Sequence, residues 1–257
     1  MLARGPAPTK ITYYREYGIH PVKSRDSHDY IASFPNWDET IQALKTNMPT
    51  RGNIITPEYA TISEEFLQLT SHARLIEDRI REAKYATKHS DALLHLGSPT
   101  SFYDRYGRSR WLNSVLSIRR GKVESVTHKT TLVPIEEVIG ITEPVSDLRT
   151  VKNGNAVLIC AELFGMFFSA NKSKVLQGKN IRQIFTPTMW ATPQGDNSVM
   201  DKIRQEAGGD DNYYRQQLEH VVGSYVLKHL PTVDRVIISD RGRPDIAPYN
   251  SVFDRVR

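Results

Sequence analysis

The sequence predicts a mixed α/β fold, on three observations: short apolar strand-like runs alternate with amphipathic helical stretches, turn signals separate them at close intervals, and no repeat or low-complexity segment interrupts the pattern. In chain order, a Pro-bearing and mobile N-terminus leads to a short strand at Ile11–Tyr14. Asn36 or Asp38 caps a helix running towards Met48. Gly52 restarts the chain, and Asn53-Ile54-Ile55-Thr56 reads as a brief buried strand that stops at Pro57 with Glu58 just beyond. A long polar helix is expected from about Ser63 to Lys88, followed by an apolar strand from Asp91 to Leu96 closed by Gly97-Ser98-Pro99. Trp111–Arg119 and Lys122–His128 form a hairpin about Arg120-Gly121, with Lys129 at its exit. Asn153-Gly154-Asn155 is another turn, leading into Ala156-Val157-Leu158-Ile159-Cys160. Gly165 opens a further helix. Ile181–Phe185 and Arg235–Ile238 supply later strands, with a helix bearing Tyr213, Leu218, Val221, Val222 and Tyr225 between them. The stretch from Arg241 to Arg257 reads as a basic tail without an assigned element.

Size and composition narrow the function. With 257 residues, 39% hydrophobic and 25% charged, the chain can bury a sizeable core, and a single domain over residues 1–257 is the simplest reading. No apolar run approaches the roughly 18–20 residues of a membrane-spanning helix, and the start MLARGPAPTK lacks a secretory apolar stretch, so a cytoplasmic protein is expected. The net charge of +5 is spread among interleaved acids and bases, which reads as a solvated surface and gives no nucleic-acid footprint. The one cysteine cannot form an internal disulfide or a multi-cysteine zinc site, and no ligand cluster suggests a metal or other cofactor. Cys160 is therefore core filler or nucleophile.

Three segments each carry a different reactive group to a strand end: Thr56-Pro57-Glu58-Tyr59, His128-Lys129-Thr130, and Leu158-Ile159-Cys160-Ala161-Glu162. Acyl transfer through a thiol needs a base for its proton and a cation or donor for the oxyanion, and Glu58, Lys129 and Cys160 supply that set. Each also has an ordinary reading taken singly. An isolated apolar cysteine is usually a small buried hydrophobe, Glu58 could cap a helix, and Lys129 could be a solvated strand-end cation. His95 reads as a hydrogen-bonded core histidine, and Trp111 and Trp190 as packing residues, with a pocket wall as the second reading of Trp190.

Taken together, these residues resemble the nitrilase, or carbon–nitrogen hydrolase, superfamily, with its Glu-Lys-Cys triad in that chain order. The resemblance runs from about Ile11 to Ser239. Asn53–Tyr59 is similar to the family's apolar strand followed by Pro-Glu; Gly97, Asn113-Ser114 and Arg120-Gly121 are similar to its intervening landmarks. His128-Lys129-Thr130 with Leu132-Val133-Pro134 and Glu137 resembles its Lys segment. The resemblance implies a base at Glu58, an oxyanion role for Lys129, a supporting carboxylate at Glu137 (with Glu136 the alternative) and a nucleophile at Cys160. Ala161, Glu162 and Trp190 fall at the substrate, with a structural role as the second reading of Glu162. Cys160-Ala161-Glu162 is most similar to the apolipoprotein N-acyltransferase and conjugal-transfer branch, which has Cys-Tyr-Glu there, while Thr186–Trp190 and Ser239–Arg243 depart from the family pattern. The implied fold is a four-layer αββα sandwich and the implied assembly a homodimer. The implied activity is hydrolysis of a small-molecule amide; N-acyl transfer by the same triad is the alternative, and a catalytically silent binding protein the third reading.

Overall fold

A computed structural model describes residues 9–23, 28–62, 69–132, 136–137, 139–142, 144, 151–152, 154–160, 162–163, 176, 179–188, 222, 226–241 and 247–256. The strands are β1 (Thr9–Tyr14), β2 (Gly18–Val22), β3 (Asp29–Ser33), β4 (Asn53–Ile55), β5 (Leu93–Tyr103), β6 (Ser109–Arg119), β7 (Lys122–His128), β8 (Val151–Lys152), β9 (Asn155–Val157), β10 (Gln183–Thr188), β11 (Arg235–Asp240) and β12 (Asn250–Arg255). They form two six-stranded sheets, ordered β2-β3-β4-β5-β6-β7 and β1-β12-β11-β10-β9-β8. The centres of both are parallel, β3 with β4 and β5 in one and β9 with β10 and β11 in the other, while the flanks are antiparallel.

Side-chain alternation along these strands builds the layers. Ile31, Ile55, Val115, Val157, Ile159, Phe185, Ile237 and Val252, drawn from both sheets, pack into one cluster between them. Their neighbours in sequence point outward. Ile54, Leu94, Leu96 and Leu116 meet Trp37, Ile41, Leu44 and Ala83 of the helices α1 (Trp37–Asn47) and α2 (Ala73–Ala86). On the opposite outer face, Leu158, Ile184, Val236, Ile238 and Phe253 meet Leu176, Val222, Val226 and Leu227. A period of two therefore gives each central strand two buried faces, the condition for a sheet covered on both sides, and the result is the expected αββα sandwich.

Several expectations match in detail. Asn36 caps α1 by accepting the Glu39 N–H at 2.9 Å, and its amide returns a bond to the Glu39 carboxylate. Arg120 and Gly121 turn the β6–β7 hairpin with φ of 49° and 72°, the left-handed pair that matches strand twist. Three expectations need correction. β5 does not stop at Gly97-Ser98-Pro99 but runs through it to Tyr103, because β4 ends at Ile55 and leaves that flank of β5 unpaired, where a residue without an N–H is tolerated. β10 likewise continues past Phe185 through Pro187 to Thr188. The basic tail contains β12, which lies between β1 and β11; Asp254 takes Arg235 at 2.5 Å, and Arg255 donates to the carbonyls of Leu227, Leu230 and Val233. The helix expected from Ser63 is described only from Ala73, after a 3-10 turn at Leu69–His72, and those expected from Gly165 and around Tyr213 lie outside the described residues, as does the N-terminal stretch 1–8. Among the described residues no helix is long and apolar enough to cross a membrane.

Candidate active site

β10 is the spacer that sets Glu58 and Cys160 side by side. The carbonyl of Thr188 accepts the Glu58 N–H at 3.3 Å, and the carbonyl of Pro187 accepts the Cys160 N–H at 2.9 Å. Glu58 arrives from the first sheet at the turn beyond β4, where the Thr56 N–H still follows the sheet onto the His95 carbonyl at 3.0 Å. The turn presses against β5 at Gly97. A Cβ there would lie 2.1 Å from the Pro57 carbonyl oxygen, so only glycine admits the approach. Cys160 arrives from the second sheet with φ of 46°, a left-handed conformation that bends the chain sharply after Ile159, and the residue as a whole is half-buried.

Lys129 completes the group from the end of β7, its N–H held by the Asn113 carbonyl at 2.8 Å. The side chain is 1% exposed, and its Nζ donates to Glu58 Oε1 and Glu136 Oε2 at 2.8 Å each. Asn113 on β6 supports both carboxylates with Nδ2, at 2.6 Å from Glu58 Oε1 and 2.5 Å from Glu136 Oε1. The Tyr59 hydroxyl adds a third donor to Glu136 at 2.6 Å. The second carboxylate is thus Glu136 and not Glu137, which points outward and is exposed. The two are adjacent in a helical turn, where neighbouring side chains lie about 100° apart and only one can face inward.

These contacts shift the proton affinities of the cluster. Burial raises the Glu58 carboxyl above its usual range, the Lys129 ammonium works against that, and Glu136 adds to it. Burial would lower the Lys129 ammonium, but Glu58, Cys160 and Glu136 outweigh it and raise the group, so lysine stays charged. The Cys160 thiol is pushed well up, first by burial and then by the Glu58 charge, with Lys129 opposing and a hydrogen bond to Glu58 reinforcing the shift. The balance of these neighbours disfavours the thiolate of Cys160.

Glu162, expected at the substrate, has both oxygens turned to the protein. Oε1 accepts from the Thr130 N–H and hydroxyl at 2.7 Å each, and Oε2 accepts from the Ile159 N–H at 2.8 Å. It ties the residue after Lys129 to the residue before Cys160. Ala161 and Trp190, the other expected substrate contacts, lie outside the described residues. His95 is the core histidine anticipated, its Nδ1 on Ser117 Oγ at 3.0 Å and its ring against Phe185. Sequence reasoning missed Tyr59, which carried no signal beyond adjacency to Glu58, and named Asn113 as a landmark without its role.

No family model matches the chain, and no curated protein matches it in sequence. Solved structures match it in fold. An amidase from Nesterenkonia sp. AN1, bearing the acetamide moiety of fluoroacetamide on its active-site cysteine, aligns at a TM-score of 0.56 and 11% identity over 99% of this chain and 92% of that one. Saccharomyces cerevisiae Nit3, a nitrilase-superfamily member, aligns at 0.52 and 12% over 95% and 80%. The glutamine-dependent NAD+ synthetase of Acinetobacter baumannii aligns at 0.53 and 14% over 96% of this chain, which spans 42% of the synthetase. The chain has the α/β sandwich of the carbon–nitrogen hydrolases. More particularly, its fold is that of the nitrilase superfamily.

Proposed function

We propose that the chain is a thiol-dependent hydrolase of amide-type carbon–nitrogen bonds in small molecules, acting through a thioester on Cys160. The observation that carries this reading is the buried set in which Lys129 bridges Glu58 and Glu136, with Cys160 near enough for the charges of all three to act on its thiol. Glu58 takes the thiol proton as sulfur attacks the amide carbon, and the carbonyl electron pair moves to oxygen. Lys129 donates to that oxyanion. The Cys160 N–H is already spent on Pro187, so a second oxyanion donor comes from another backbone N–H beside the nucleophile. As the tetrahedral intermediate collapses the carbon–nitrogen bond breaks, and the amine leaves with the proton from Glu58. Water then attacks the thioester, giving its proton to Glu58 and its oxygen to the acyl carbon; the thiolate leaves and recovers that proton. The product pair is a carboxylic acid and an amine.

In this mechanism the Cys160 proton moves to Glu58 together with attack on the amide carbon. N-acyl transfer, with an amine replacing water in the second half, is the second reading, favoured by the Cys160-Ala161-Glu162 and Leu132-Val133-Pro134 patterns. Incubation with a panel of acyl amides, followed by intact-mass analysis, tests the assignment. The expected result is an added acyl mass on Cys160 and loss of turnover in Cys160→Ala; turnover that survives Cys160→Ala sinks the mechanism. Added amine acceptors that divert the acyl group from water separate transfer from hydrolysis.

A further inference from the structure

Lys129 has to serve two carboxylates and still face an oxyanion, so what holds Glu136 decides how much of the lysine Glu58 receives. Tyr59 is built for that purpose on three counts. Its φ of 55° is left-handed, a strained conformation that a bulky aromatic residue rarely adopts. That backbone is fixed from outside the site, with Arg241 Nη1 donating to the Tyr59 carbonyl at 3.3 Å. The ring is 5% exposed and packs with Ile62, Leu69, Ile76, Trp111 and Ile141, so its hydroxyl is delivered from an apolar wall to Glu136 Oε1 at 2.6 Å.

We propose that Tyr59 is a positioning residue, whose hydroxyl anchors Glu136 so that Lys129 remains shared with Glu58 and aligned for the oxyanion. The proposal rests on the hydrolase reading for its catalytic consequence but not for its electrostatic one. The charged and titratable groups around the hydroxyl are Glu136, Glu58, Lys129 and Cys160, with Arg241 at the backbone side. Burial, followed by the charges of Glu136 and Glu58, raises the phenol far above its ordinary value, so the hydroxyl is a permanent donor. Without it Glu136 retains Asn113 and draws harder on Lys129. The lysine then stabilises the Glu58 carboxylate less, and Glu58 takes up its proton at a higher pH.

Tyr59→Phe removes one oxygen and keeps the ring in its wall. Carbon-13 NMR of glutamate-labelled protein, with Glu58→Gln to assign the resonance, is expected to show Glu58 titrating about one pH unit higher in Tyr59→Phe, in a protein whose melting temperature is nearly unchanged. In turnover, the acid limb of kcat/KM moves up by the same amount and kcat falls about tenfold with little change in KM. A fluorinated tyrosine at position 59, a stronger donor, moves the Glu58 titration the opposite way. A folded Tyr59→Phe protein with the wild-type Glu58 titration overturns the proposal. If no amide is turned over, the hydrolase reading fails while the titration still decides this one.

Discussion

His95 lies in β5 and Lys129 just past the end of β7 of the same sheet; both are basic and are 3% and 1% exposed, yet they end in opposite states. Lys129 lies between Glu58 and Glu136 and holds its proton more tightly than a free lysine. His95 has a neutral partner in Ser117, only the more distant attraction of Asp29, and an Nε2 with no hydrogen-bond partner among the described residues; burial lowers it to about 4. Burial is common to both. What differs is whether opposite charge is within reach, and that decides which buried base keeps a charge for chemistry and which becomes neutral core.

The largest effect expected from this contrast is at Lys129. Lys129→Met removes the oxyanion donor, worth on the order of 10²–10³ in kcat. It also leaves two buried carboxylates facing one another, at a cost of about 3–5 kcal/mol in urea unfolding. Adding Glu58→Gln and Glu136→Gln to Lys129→Met recovers much of that stability; if it does not, the pairing is not what holds the charges. The second effect is at His95. Its folded pKa lies below its unfolded value, so its contribution is complete above the unfolded value near 6.5 and is lost as pH falls towards 4. The loss amounts to about 3 kcal/mol at the acid end. Unfolding measured at intervals from pH 7 to 4 should show a fall that His95→Gln removes, and an unchanged fall in the variant breaks the comparison.

A smaller effect is expected at Glu162. Glu162→Gln turns an amide donor towards either the Ile159 N–H or the Thr130 donors, costing about 1–3 kcal/mol. Activity should fall through kcat, since the thiol and the ammonium are then no longer held to one another. A variant with normal kcat would show that other contacts suffice to hold the two loops. The smallest effect is at the exposed neighbour of the site: Glu137→Gln should stay within about 0.5 kcal/mol and leave turnover unchanged. Glu136→Gln, one residue away, should lower turnover strongly, and equal effects at the two positions would contradict the orientation of that helical turn.

What could be read from the chain by itself was local. Asn36 capping α1 and Arg120-Gly121 turning a hairpin are decisions made within a few residues, by backbone donors and by φ. The apolar runs Asn53–Ile55 and Ala156–Val157 announced buried strands, and the reactive residue after each was visible because strand ends are where such residues sit. β2 and β12 were not visible. β2 is an edge strand carrying Pro21, and β12 mixes Asp254 and Arg255 into a central strand whose charges are satisfied by Arg235 and by carbonyls far away in sequence.

The sequence by itself determined the layer pattern, through the period-two alternation that assigns Ile55, Val157 and Phe185 to one side and Ile54, Leu158 and Ile184 to the other. It also supplied Glu58, Lys129 and Cys160, the set proposed to react. Only the tertiary structure decided which of two adjacent glutamates meets Lys129, that Glu162 binds the backbone, and that Tyr59 reaches into the charge cluster. The physical reason is that spacing fixes which face of its own element a side chain takes, while the partner that makes a buried charge tolerable comes from another part of the chain. For Glu136 those partners are Tyr59, Asn113 and Lys129, which no local pattern connects.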